Sequence, residues 1–319
     1  MSDTVTPANL GRITSEEIAS QPECRAQAQT HAISRPAGLP AAGERVLVLG
    51  CGTSYYVAAA YAWLREQAGQ GVTDAVIASE MPTTLRDYDR VVAISRSGTT
   101  TEVSQALATL PAGVPVTAIL GELGTPIAEA ATDIIDLSYA DERSVEQVDD
   151  VDLSYADERS VVQTRFPTTL LTLLRTHLGE SAAVAEMISR AQTVVTAPTS
   201  EQPPRQLVVL GTGWAAAIAQ EAALKCRESA GMWAEAYASG EYRHGPISVA
   251  GPGTLVWAMT PLTDMQTRAI LGTGARIHQG HDDPQVELVA LQRQAVAWAA
   301  AAGRDADLPV HLSRSVVAL

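Results

Sequence analysis

Three times along this chain a short run of Val, Leu and Ile ends in Gly or Ser and gives way to a helical pattern, at Arg45–Gly50, Arg90–Ser95 and Gln206–Gly211. Each reads as a strand running straight into a helix. Unbroken apolar runs without polar alternation belong to strands covered on both faces, the condition of a parallel sheet. Further strands are expected at Val72–Ala78, Pro115–Leu120, Ala234–Ala238 and Thr254–Thr260, with helices over Tyr55–Glu66, Glu102–Leu110 and Ala215–Ser229 and around Thr168–His177. The alternation specifies an α/β protein in which parallel sheets lie between layers of helices, a three-layer α/β/α arrangement. With 319 residues the chain exceeds one ordinary hydrophobic core, so two domains are expected. The polar, Pro-containing segment Thr196–Arg205 precedes a second strand–Gly–helix opening, which sets the expected domains at residues 1–195 and 196–319.

A local repeat interrupts the pattern. Asp136–Gln147 reads DLSYADERSVEQ and Asp152–Gln163 reads DLSYADERSVVQ, a near-copy displaced by 16 residues. One repetition at so short a period cannot build a solenoid, which needs several stacked units. It reads as a tandem duplication in a loop, with the second copy leading into the helix that follows.

Charge narrows the partners. The 22 Lys and Arg against 36 Asp and Glu leave a net charge of -14, which opposes binding to polyphosphate backbones and to anionic lipid. Nucleic acid and membrane are therefore not expected partners. Residues 1–17 have no basic end followed by an apolar stretch, and no later run reaches ~18 uninterrupted apolar residues. Cys24, Cys51 and Cys226 are odd in number with no C-x-x-C spacing, as suits a reducing compartment, so a cytoplasmic location is expected. Lys225 is the lone lysine among the 22 basic residues. A compact ammonium does what a guanidinium cannot, which singles it out.

Ligands of open parallel sheets sit beyond the carboxyl ends of the strands, where helix N-termini offer unpaired N–H groups to anions. Ser95-Arg96-Ser97-Gly98-Thr99-Thr100-Thr101-Glu102 places five hydroxyls in seven residues at such a position, more than a helix cap requires, and reads as a phosphate loop. Cys51-Gly52-Thr53-Ser54 follows its strand similarly, and alone fits a cap as well as a ligand contact. Gly211-Thr212-Gly213-Trp214-Ala215-Ala216 fits G-x-G-x-x-A and raises a dinucleotide reading, weakened by the bulk of Trp214. Lys225 does not follow a Gly, so the triphosphate-binding G-x-x-x-x-G-K-[ST] loop is absent. Lys225 and Glu228 share a helical face, either as converging acid and cation or as a solvated ion pair. His244, in a Gly/Pro-bounded loop, is either functional or simply solvated.

Together, CGTSYY at Cys51–Tyr56, ISRSGTTTEV at Ile94–Val103, ERSVVQTRF at Glu158–Phe166 and EAALKCRESAGMWAEAYASGEYRHGP at Glu221–Pro246 resemble the sugar isomerase (SIS) family. They are similar to the isomerase half of glutamine:fructose-6-phosphate aminotransferase and to glucosamine-6-phosphate deaminase-like proteins with two SIS domains. EIASQPE at Glu17–Glu23 and the ending DLPVHLSRSVVAL extend the resemblance over nearly the whole chain. It implies two SIS domains, each a parallel sheet of about five strands between helices.

By position, the resemblance places Ser95, Arg96, Ser97 and Thr100 on the phosphate loop. Thr53 and Ser54 fall on the first sugar-contacting loop, Val161 on a segment whose backbone touches the sugar, and Ser313 and Arg314 on the sugar-binding tail. Glu228 falls on the base that moves a proton between C1 and C2, Lys225 on a helix lysine near the sugar, and His244 on the ring-opening residue contributed by the neighbouring subunit. A homodimer with shared sites is therefore expected, with no metal or organic cofactor.

Two departures are informative. No glutaminase half and no N-terminal Cys nucleophile are read in the chain, so ammonia from glutamine is not expected. Arg314 stands where the aminotransferase has a sugar-binding lysine, and a guanidinium is too basic to form a Schiff base readily. The leading expectation is an amino-sugar-phosphate deaminase/isomerase converting glucosamine 6-phosphate to fructose 6-phosphate and ammonia. Another aldose–ketose isomerase or a deglycase, a non-catalytic sugar-phosphate sensor, and a nucleotide-dependent oxidoreductase remain as alternatives.

Overall fold

The computed structural model describes residues 10–138, 160–200 and 202–313. In chain order the elements are α1 (Arg12–Ile33), β1 (Val46–Gly50), α2 (Thr53–Gln67), β2 (Thr73–Ile77), β3 (Arg90–Ser95), α3 (Thr101–Ala108), β4 (Val116–Leu120), α4 (Pro126–Glu129) and β5 (Asp133–Asp136). They continue with α5 (Arg165–His177), α6 (Ser181–Val194), β6 (Gln206–Gly211), α7 (Ala215–Ala230), β7 (Ala234–Ala238), β8 (Thr254–Ala258), α8 (Asp264–Leu271), β9 (Arg276–Gln279) and α9 (Pro284–Ala301).

Two compact units form, each around its own sheet. Residues 21–138, 165–186 and 313 make the first, with five strands in the order β2-β1-β3-β4-β5; residues 10–20, 160–164, 187–200 and 202–312 make the second, with four in the order β7-β6-β8-β9. Every strand pair is parallel. The α/β expectation therefore holds, with four strands among the described residues of the second sheet against the about five that the resemblance implied. The two sheets fall on either side of residues 195/196, but the unit ranges interleave along the chain where the sequence led to one cut.

The apolar runs behave as their composition requires. Val46, Leu47, Val48 and Leu49 of β1 are fully buried, as are Leu207, Val208 and Val209 of β6. Each such side chain contributes ~1.5–3 kcal/mol by leaving water, so the central strands anchor both units. The edge strands β5 and β9, with sequences DIID and RIHQ, lack that signature and escaped the sequence reading. So did α1, which carries Pro22 in mid-helix and shows no clear apolar stripe.

The 16-residue repeat falls largely outside the described residues, and with it the question of which copy loops out. The end of the second copy is anchored in the second unit: Ser160 is fully buried, its hydroxyl 3.0 Å from that of Thr14. Among the described residues no helix is long and apolar enough to cross a membrane.

Candidate active site

In the first unit the chain leaves β1 toward β2 and leaves β3 toward β4, although β1 and β3 are neighbours. Strand order reverses there, which opens a crevice at the carboxyl ends of these two strands. Both candidate loops stand at it. The loop after β1 delivers Thr53 and Ser54 as the first residues of α2, and both are buried. The loop after β3 carries Ser95, Arg96 and Ser97, also buried, and ends at Thr100 just before α3.

The second loop is internally ordered by its own hydroxyls. Ser95 Oγ accepts the Gly98 N–H at 3.0 Å and lies 3.2 Å from Thr100 Oγ1. Ser97 Oγ accepts the Thr99 N–H at 3.3 Å and the Thr99 hydroxyl at 3.1 Å. Gly98 adopts φ +64°, and a Cβ there would fall 2.1 Å from Thr125 Oγ1, so only glycine lets the loop pass α4. Thr100 occupies the cap position of α3 in extended conformation but makes no side-chain cap bond to the first turn. The positive end of the α3 dipole thus lies at this loop. Glu102, in that first turn, has one buried carboxylate oxygen without a hydrogen-bond partner. Burial, and next the charge of Glu102, push the Cys51 thiol above its ordinary pKa.

In the second unit the candidate residues Glu221, Lys225 and Glu228 lie on one face of α7. Lys225 Nζ donates to Glu228 Oε2 at 2.6 Å and lies 3.5 Å from Glu221 Oε1. The side chains of Glu221 and Lys225 are 1% and 2% exposed and that of Glu228 is 17% exposed, so the ammonium sits between an inner and an outer carboxylate. A buried charge is tolerated only when paired. With Glu221 as permanent partner, Glu228 can take up and give back a proton without stranding the ammonium. Glu221 is the member of this trio that the sequence reading left without a role; its signal was the i, i+4 spacing to the lone lysine. Glu228 also borders a cavity of about 740 Å³ within this unit.

His244 does not join the trio by way of its own strand. Glu228 is near the end of α7, Gly231–Trp233 lead into β7, and His244 closes a short helical turn (Glu241–His244) beyond the far end of β7. A five-residue strand spans about 16 Å, so β7 separates the two. His244 is exposed there. Val161 is half-buried in the second unit, Ser313 is exposed and belongs to the first, and Arg314 lies outside the described residues.

The glycine pattern at Gly211–Ala216 has a packing cause. A Cβ on Gly211 would fall 2.1 Å from the Ala215 carbonyl oxygen, so this glycine lets α7 start directly on the end of β6. Among the described residues no group of three or more His, Cys, Asp or Glu side chains is placed to hold a metal ion.

Comparison with known proteins bears on the same segments. Residues 41–154 match the family model for the SIS domain. The glutamine--fructose-6-phosphate aminotransferase of Clostridium acetobutylicum is 23% identical over 86% of this chain, and that of Pyrobaculum aerophilum 26% over 94%. The chain spans about half the length of these relatives, 52% and 56%. Among solved structures, a glucosamine-6-phosphate deaminase from Thermotoga maritima superposes with a TM-score of 0.73 at 23% identity, covering 96% of this chain and 100% of that one. A tagatose-6-phosphate ketose/aldose isomerase from Escherichia coli gives 0.69 at 18% identity, covering 96% and 98%. At these identities the superpositions establish a shared fold.

Proposed function

We propose that this chain, which carries an SIS domain over residues 41–154, is a sugar-phosphate isomerase whose reaction is the deamination of glucosamine 6-phosphate to fructose 6-phosphate and ammonia. The observation that carries the reading is the Glu221–Lys225–Glu228 trio, with a carboxylate turned toward a cavity and backed by a buried ammonium. Proton transfer beside a carbonyl needs a positioned carboxylate and a fixed positive charge for the enediolate-like state. Ser95, Ser97, Thr100 and the start of α3 hold the phosphate, with Arg96 beside them, and Thr53 and Ser54 contact the sugar. Val161, Ser313 and Arg314 complete the sugar contacts.

His244 opens the pyranose ring. Glu228 then removes the C2 proton and returns it at C1, while Lys225 steadies the charge that develops on oxygen. The resulting C2 imine adds water; the C–N bond breaks, the water oxygen stays as the ketone and ammonia leaves. No cofactor enters these steps. The second unit is read as a second SIS domain, since β7-β6-β8-β9 repeats the order in which the first sheet begins. Because β7 separates His244 from Glu228, each site takes its histidine from the neighbouring copy of a homodimer. A cytoplasmic location belongs to this reading and agrees with three free cysteines.

Incubating the purified protein with glucosamine 6-phosphate, galactosamine 6-phosphate and fructose 6-phosphate while following ammonia and sugar products tests the proposal. Ammonia and fructose 6-phosphate from glucosamine 6-phosphate are expected. Interconversion of neutral sugar phosphates without ammonia release would move the assignment to plain isomerisation.

A further inference from the structure

After α9 ends at Ala301 the chain runs on as a strap, residues 305–312, of which Asp305 and residues 308–312 line the cavity that Glu228 borders. The strap contains no helix or strand. It is fastened to the first turn of α1, 294 positions earlier in the chain. A helix start has N–H groups without a partner inside the helix and carries the positive end of its dipole, and carboxylates of the strap meet both. Asp305 Oδ1 accepts the Gly11 N–H at 2.8 Å, and Asp307 accepts those of Ile13 and Thr14 at 2.9 and 2.7 Å. The joint is closely packed: Gly11 has φ +68°, and a Cβ there would fall 2.7 Å from Val296 Cγ1 and 3.1 Å from Ala306 Cβ.

Thr14 reaches beyond the strap. The residue is 1% exposed, and its hydroxyl has partners on two segments far apart in sequence, Asp307 Oδ1 at 2.7 Å and Ser160 Oγ at 3.0 Å. A carboxylate only accepts, so the Thr14 proton goes to Asp307 and the Thr14 oxygen accepts from Ser160. Ser160 is fully buried and shares its proton with the Val162 carbonyl at 3.1 Å, which ties it across Val161. One buried hydroxyl thus joins the wall of the Glu228 cavity to the segment that carries Val161.

We propose that Thr14 is a positioning residue of the site: its hydroxyl pins the strap of residues 305–312 to residues 160–162 and fixes the spacing between them. The inference rests on the sugar-phosphate reading above, in which Val161 contacts the sugar and Glu228 reacts with it. Thr14 acts through the two segments it joins. If they drift apart the sugar is held less tightly, while Glu221, Lys225 and Glu228 keep their own geometry on α7. KM is therefore the parameter that moves.

Thr14→Val keeps the shape of the side chain and the backbone N–H bonds to Asp307 but removes the hydroxyl; Thr14→Ser keeps the hydroxyl. Hydrogen exchange of the amides in residues 161–164 and 306–312, read by mass spectrometry, is measured beside steady-state turnover of glucosamine 6-phosphate. Thr14→Val is expected to lose protection in both segments and to raise KM about tenfold or more, as loss of a hydrogen bond to a charged group does, with kcat within about threefold. Thr14→Ser is expected to match the unmodified protein. Protection lost in one segment only, or in neither, overturns the pin. Protection lost in both with KM unchanged, or with kcat falling in its place, overturns the positioning role. Ser160→Ala frees only the second segment and keeps the test open should Thr14→Val not fold: it is expected to raise KM while residues 306–312 stay protected, and unchanged KM and exchange overturn the proposal. An unmodified protein that turns over no sugar phosphate defeats the sugar-phosphate reading instead, and exchange then decides the pin by the same two-segment criterion.

Discussion

The Lys225 ammonium donates a 2.6 Å hydrogen bond to Glu228 from a position where the lysine is almost wholly buried and the glutamate is not. Glu221, 3.5 Å away on the inner side, keeps the lysine paired whichever protonation state Glu228 adopts. Every other basic residue of the chain is arginine, so Lys225→Arg is the sharpest probe of this arrangement. A bulkier, forked guanidinium sets its charge at a different point from the ammonium, which is expected to lower kcat about 100-fold. Turnover and thermal unfolding measured together check it: a folded variant with unchanged kcat removes Lys225 from the reaction.

The loop after β3 is expected to govern phosphate affinity. Ser97→Ala combined with Thr100→Ala removes two hydroxyls from it, and losing donors to a charged group costs ~1.5–3 kcal/mol each, a tenfold or larger rise in KM. Steady-state kinetics on a phosphorylated sugar show it. Gly98→Ala acts differently: the left-handed backbone alone costs about 1–2 kcal/mol, and the clash with Thr125 adds to it, so unfolding at lower temperature is expected.

Cys51 offers a pH-dependent reporter beside the first loop. Its thiol pKa is raised by burial and then by the charge of Glu102, so the reactive thiolate is scarce near neutral pH and increases only as pH rises. Glu102→Gln removes a negative charge that raises this pKa, and iodoacetamide at fixed pH 8 is expected to alkylate Cys51 faster in the variant. Cys24 and Cys226 are buried, which leaves Cys51 as the thiol most open to reagent. Peptide mapping of the labelled protein measures the rate; an unchanged or slower rate contradicts the assigned cause.

Separation of His244 from Glu228 by β7 makes subunit complementation informative. Glu228→Gln and His244→Ala are each expected to be inactive alone. Mixed under conditions of confirmed subunit exchange, they are expected to regain part of the activity, because one site of each heterodimer combines both intact residues. A mixture that stays inactive places both residues of a site in one subunit.

Much of this was legible in the residues because parallel strands buried on both faces leave unbroken apolar runs, as β1, β3 and β6 do. β5 and β9 were not, since an edge strand spends much of its surface on solvent and DIID and RIHQ read as polar connections. The hydroxyl-rich loop after β3 stood out by its composition, and the Lys225–Glu228 pair by the solitary lysine. Glu221 was missed because burial, rather than spacing, distinguishes an inner counter-charge from a surface i, i+4 pair.

Proton transfer by Glu228 is the central claim, and deuterium exchange reads it most directly. With glucosamine 6-phosphate in D₂O, the proton that the partly exposed Glu228 holds between C2 and C1 exchanges with solvent, and proton NMR with the unmodified protein is expected to show deuterium entering the C1 position of the fructose 6-phosphate formed. Folded Glu228→Gln is expected to reduce both exchange and product formation by at least 100-fold. Exchange and turnover undiminished in Glu228→Gln would contradict the claim.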